Sequence, residues 1–77
     1  MALIFYTTSH CGLCEQAEAI LLSTPLPTPI PVEVIDIAES AALVDAYGTR
    51  IPVLKRTDTG AELGWPFDAQ QVQQFLS

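Results

Sequence analysis

Proline stands at every second position in the stretch Pro25-Leu26-Pro27-Thr28-Pro29-Ile30-Pro31. Each ring fixes φ and removes a backbone donor, so this segment can be neither the interior of a helix nor a central strand. Four fixed φ angles favour an extended, polyproline-like path. We read the run as a stiff connector rather than as a docking site for proline-reading domains. Whatever precedes it must finish its secondary structure by residue 24, and the next element starts at Val32.

Before the connector, Leu3-Ile4-Phe5-Tyr6 is a short continuous apolar run, the pattern of a strand buried on both faces. Thr7, Thr8, Ser9 and His10 follow as polar loop residues. From Leu13, apolar residues return at Ala17, Ile20 and Leu21, which is helical spacing, and Pro25 stops that helix. After the connector, Val32-Glu33-Val34-Ile35-Asp36-Ile37 is a β-branched run that reads as a second strand. A strand, a helix and a second strand in this order imply a right-handed parallel crossover.

The remainder adds a short helix, a hairpin and a last helix. Ala41 to Tyr47 suit a helix opened near Glu39 or Ser40 and ended by Gly48. Ile51 to Arg56 form a third strand with Pro52 at its beginning, Asp58-Thr59-Gly60 a turn, and Ala61 to Trp65 a fourth strand. Lys55 and Arg56 read as solvated edge-strand charges. Asp68 with Gln71 makes a capping-box pattern, Phe67 with Val72 a hydrophobic staple, and Val72, Phe75 and Leu76 an apolar stripe. The order βαβαββα predicts an α/β fold with a four-stranded mixed sheet flanked by helices, in one domain over residues 1–77 with no internal repeat. A chain of 77 residues is near the size at which a single core becomes hard to build. Its 49% hydrophobic content suits a chain that forms its own core.

Nine acidic residues against three basic ones give a net charge of −6. That balance opposes a phosphate-neutralising surface, so no nucleic-acid partner is expected. No cationic amphipathic helix is present to lie on an anionic membrane, and the apolar run Ala2 to Tyr6 is too short to span one and lacks a basic flank. The expectation is a soluble, cytoplasmic protein. In that compartment a pair of thiols is more often catalytic or metal-binding than a structural staple.

The chain's two cysteines lie three residues apart in Cys11-Gly12-Leu13-Cys14. Random placement gives that spacing about one time in forty, so accident is a poor explanation. A disulfide across so short a loop removes little entropy from the unfolded chain, which leaves the staple reading weak. Cys11 falls at the strand-to-helix turn and Cys14 one turn into the helix, where positions i and i+3 are neighbours and an S–S bond can close with modest adjustment. Unsatisfied N–H groups and the helix dipole at that end favour a thiolate on Cys11, the reactive form of a thiol. Cys14, beside the Ala17/Leu21 stripe, should keep its proton longer. Gly12 frees the turn and leaves room for a substrate backbone, whereas Glu15 and Glu18 work against the thiolate by like-charge repulsion. A nucleophilic Cys11 and a resolving Cys14 suit two-step disulfide exchange. His10 either tunes Cys11, relays a proton, joins both thiols in a metal site, or is a solvent-facing loop residue. Those three ligands are one short of a closed structural zinc site, and no metal is expected there.

At this point the sequence resembles the thioredoxin superfamily and, within it, a short glutaredoxin-like protein. The likeness spans nearly the whole chain. It rests on the Cys11-Gly12-Leu13-Cys14 helix start, on Tyr47-Gly48-Thr49-Arg50-Ile51-Pro52-Val53, and on Gly64 ahead of the last helix. The resemblance implies a cis Ile51–Pro52 bond packed beside the disulfide, with Ile51 backbone groups pairing an extended substrate or glutathione. It also implies a cleft bordered by Gly64, Trp65 and Arg50. Arg50 holds either a substrate carboxylate or a nearby acidic side chain; Trp65 is a substrate platform or packs against the last helix.

The chain departs from the family pattern in three places. Gly-Leu separates the cysteines, Thr7-Thr8-Ser9 stand where glutaredoxins often offer a cation, and Trp65-Pro66 replaces a second glycine. The expected function is thiol–disulfide oxidoreductase activity on protein or glutathione-mixed disulfides, by a monomer with no tightly bound cofactor, an unidentified electron donor and glutathione as a co-substrate. The alternative is a module of the same fold that binds a metal or iron–sulfur cluster, or docks a partner, without turnover.

Overall fold

A computed structural model describes residues 2–26 and 28–77; Pro27, in the middle of the connector, and Met1 lie outside the described residues. Strand β1 (Leu3–Thr7) runs parallel to β2 (Val32–Asp36) and antiparallel to β3 (Val53–Arg56), which pairs antiparallel with β4 (Glu62–Gly64). The order across the sheet is β2-β1-β3-β4. Helices α1 (Gly12–Ser23), α2 (Ala41–Tyr47) and α3 (Ala69–Leu76) cover it.

The period-2 alternation of β1 divides the interior in two. Leu3 and Phe5 face a core shared with Ala17 of α1, Leu54 of β3, and Phe67, Val72 and Leu76 around α3. Tyr6 looks the other way, into a smaller core with Ile37, Tyr47 of α2 and Val53, and Ile4 packs against it. The central strand is therefore buried on both faces, as its unbroken apolar run predicts.

Local chemistry explains where the elements stop. Thr24 closes α1 by donating its hydroxyl to the Ile20 carbonyl at 2.7 Å, and the chain enters the proline connector. Gln73 of α3 donates to the Pro25 carbonyl at 2.9 Å and ties the connector to the domain. The second strand ends one residue short of the predicted Ile37. The Asp36 carboxylate accepts from Ala38 N–H at 2.9 Å and turns the chain into a 3-10 turn over Ile37–Glu39. The third strand starts at Val53 rather than Ile51, because the Ile51 N–H is spent on the Tyr47 carbonyl at 3.0 Å and Pro52 has none to give. In α3 both halves of the capping box form: Gln71 N–H donates to Asp68 at 2.8 Å and Asp68 N–H to the Gln71 side chain at 2.9 Å.

One expectation is corrected. Lys55 and Arg56 are not edge charges, since β3 lies between β1 and β4. The guanidinium of Arg56 grips Asp58 through Nε (3.0 Å) and Nη2 (2.8 Å). Its Nη1 donates to the Phe75 and Ser77 carbonyls at 2.7 and 3.2 Å, capping α3 from another element.

Candidate active site

The strand registers bring four chain segments to one end of the sheet. Thr7, the last residue of β1, is opposite Asp36, the last of β2. Tyr6 is opposite Val53, the first residue of β3, which is itself opposite Gly64, the last of β4. The loop carrying His10 and Cys11, the Ile51–Pro52 segment and Gly64-Trp65 therefore share that end.

His10 turns the chain from strand to helix with φ 55°, a left-handed conformation that histidine tolerates better than β-branched residues do. Cys11 then takes the N-cap position with extended dihedrals, and its carbonyl accepts the first helical bond from Glu15 N–H at 3.1 Å. The Cys11 Sγ accepts from Cys14 N–H at 3.2 Å, the role that an oxygen usually plays at this position. Cys11 and Cys14 are joined in a disulfide with Cα atoms 5.2 Å apart. Cys11 is half-buried, while Cys14 is only 3% exposed against the α1 core. A Cβ added at Gly12 would meet nothing within 4 Å, so the space beside Gly12, between the two cysteines in sequence, is open.

The Ile51–Pro52 peptide is cis, and so is Trp65–Pro66. Pro52 is buried, and its carbonyl accepts from Trp65 N–H at 3.1 Å, which fastens the fourth strand's exit to the third strand's entry. Gly64 is exposed beside it. Trp65 is half-buried, its ring meeting Phe67 edge-on at 5.0 Å between centroids.

Arg50 has an acidic partner within the chain. Its Nη2 lies 2.7 Å from Glu62 Oε1, and its guanidinium sits 5.1 Å from the centroid of the Tyr47 ring. Tyr47 donates its hydroxyl to the other oxygen of Glu62 at 2.5 Å and stacks on Tyr6 at 4.2 Å. The Tyr47 carbonyl accepts from the N–H groups of Arg50 and Ile51 at 2.8 and 3.0 Å. One carboxylate on β4 thus holds both ends of the segment leading into Pro52.

The Tyr47 hydrogen bond, followed by that of Arg50, keeps the Glu62 carboxyl below its ordinary range. Reciprocally, the bond to Glu62, aided by burial, holds the Tyr47 phenol well above the usual tyrosine range. An acidic partner for Arg50 was one of the two sequence expectations, but nothing in the sequence pointed to Tyr47 joining it, because Tyr47 and Glu62 meet only through the packing of α2 on the sheet. Among the described residues no group of three or more His, Cys, Asp or Glu side chains is gathered as for a metal ion, and His10 is exposed.

A mixed four-stranded sheet with a cysteine pair where the first strand passes into a helix defines the thioredoxin-like class. Over residues 2–77 the chain matches the family described as Glutaredoxin-like domain (DUF836), and it belongs to that family. The crystal structure of the protein XcR50 from X. campestris is similar at 39% identity and a TM-score of 0.85, covering 97% of this chain and 95% of that one. The solution structure of Ne2328 from Nitrosomonas europaea is 30% identical with a TM-score of 0.79, over 99% and 91% of the two chains. Thioredoxin 1 from Thermosipho africanus shares the fold at 16% identity and a TM-score of 0.73, over 99% and 90%. Comparison with curated proteins returns no match.

Proposed function

We propose that the chain is a thiol–disulfide oxidoreductase in which Cys11 attacks and Cys14 resolves. The observation that carries this reading is the asymmetry of the pair: Cys11 is half-buried with its sulfur held against a helix amino end, and Cys14 is buried one turn further on. The Cys14 N–H aimed at the first sulfur, together with the helix dipole, stabilises a negative charge there.

In the reduced protein the Cys11 thiolate attacks one sulfur of a substrate disulfide. A Cys11–substrate disulfide forms, and the other substrate sulfur leaves as a thiolate that takes up a proton. Cys14 then loses its proton and attacks Cys11 Sγ, forming the Cys11–Cys14 bond and releasing the second substrate thiol. The substrate has gained two electrons and two protons, and a thiol donor such as glutathione or a dithiol protein returns them to the pair. Pro52 with the Ile51 carbonyl forms the ledge along which an extended substrate lies, bordered by Gly64 and Trp65; the Ile51 N–H, expected from the resemblance to pair with substrate as well, is already given to the Tyr47 carbonyl. With Arg50 engaged by Glu62, substrate carboxylates compete with an internal carboxylate for that cation.

Reduction of a protein disulfide such as insulin's, followed for the wild type, Cys11→Ser and Cys14→Ser, tests the reading. Turnover by the wild type, none by Cys11→Ser, and a trapped mixed disulfide with Cys14→Ser are expected. An inactive wild type that instead binds a metal or iron–sulfur cluster stoichiometrically would replace it with the non-catalytic alternative.

A further inference from the structure

The sheet ends at β2, whose outer side pairs with no strand among the described residues and whose charged residues are the carboxylates Glu33 and Asp36. Leu3 N–H donates to the Pro31 carbonyl at 2.9 Å, and Leu3 is opposite Val32. In a parallel ladder the residues flanking Val32 therefore turn their backbone groups toward β1, and Val32 and Val34 turn theirs outward. The same two residues carry apolar side chains left 43% and 63% exposed. Across from them on α1, Leu22 is 79% exposed. Between these residues lies an apolar groove of about 500 Å³, walled by Leu21, Leu26 and Ile30 and touched by the carboxylate-bearing Glu18.

Charge indicates what fits there. All three cations of the chain, Arg50, Lys55 and Arg56, lie at or beyond residue 50. Residues 1–49, which supply nearly all of the groove, hold six acidic residues and no lysine or arginine. Glu18 stands on the groove side of the edge. Glu33, at the alternate register position to Val32 and Val34, belongs to the opposite face of β2.

We propose that β2 is a docking edge for an extended segment of another protein, in which apolar residues alternate with lysine or arginine. The segment adds a fifth strand beside Val32–Asp36. Its apolar side chains enter the groove against Val32, Val34 and Leu22, and its interleaved cations face Glu33 on the other side of the sheet. A second copy of this chain is the poorer fit, because it would bring a further net charge of −6 to an edge that already carries only carboxylates. The proposal does not depend on chemistry at Cys11.

Titration of the isotope-labelled full chain with an eight-residue peptide of alternating valine and lysine, read by NMR, tests it. Shifts centred on Leu22 and Val32–Asp36 are expected, with affinity falling about tenfold or more for an alternating valine–glutamate peptide. The same loss is expected in Val34→Lys, and Leu22→Lys provides a second variant at an exposed position that folding does not use. No binding, equal affinity for both peptides, or binding indifferent to both substitutions would overturn the proposal. So would concentration-dependent dimerisation of the free chain that Val34→Lys abolishes, because the edge would then belong to a second copy.

Discussion

Glu62 works harder than its position on a three-residue strand suggests. It accepts from the Tyr47 hydroxyl and pairs with Arg50, and through them it steadies the approach to Pro52. Its carboxyl pKa is depressed in the fold, so it contributes stability above the unfolded value near 4.5 and loses it as pH falls through the lower folded value. The side chain is 27% exposed, which discounts the contribution to about 1 kcal/mol. Glu62→Gln should therefore destabilise the protein at pH 7, and the gap from wild type should narrow as both are unfolded at successively lower pH below about 4. Arg56 invites a different test, because one guanidinium meets Asp58 and the last carbonyls of α3 together. Lysine has a single nitrogen and cannot serve both. Arg56→Lys should lower Tm by a few degrees in a thermal melt, nearly as much as Arg56→Ala.

The elements owe their limits to short-range chemistry, and two of those limits make separate tests. The capping box of α3 satisfies two orphan groups reciprocally, so Asp68→Ala should cost about 1 kcal/mol in urea unfolding, the usual worth of such a cap. At the end of α2, Gly48 keeps a right-handed conformation with φ −53°, so conformational freedom is not what the position requires. What matters is closeness: a Cβ there would lie 2.5 Å from the Val44 carbonyl oxygen. Gly48→Ala should destabilise by about 1–3 kcal/mol in the same measurement, even though alanine is the better helix former. A neutral or stabilising result would mean that the last turn of α2 shifts freely, along with the Tyr47 carbonyl that anchors Arg50 and Ile51.

At the scale of the whole molecule, what could be read from the sequence was what local patterns encode. The proline run ended one element and postponed the next, the unbroken apolar run of β1 announced a strand buried on both faces, and Asp68-to-Gln71 marked a helix start that the structure builds in full. The position of the cysteine pair at the start of α1 was legible for the same reason. Contacts between distant residues were not. The Tyr6–Tyr47–Glu62–Arg50 cluster, the capping of α3 by Arg56 and the open edge of β2 arise from which strand lies beside which, and hydrophobic periodicity carries no record of that. The functional proposal stands on the inequality of two sulfurs set one turn apart. It is tested most directly by alkylating the fully reduced protein with iodoacetamide across pH 5 to 10 and locating the modified cysteine by mass spectrometry. Cys11 should react first, with a midpoint below the ordinary thiol value of about 8.5, while Cys14 stays protected. Equal rates at both cysteines with a midpoint near 8.5, or earlier reaction at Cys14, would contradict it.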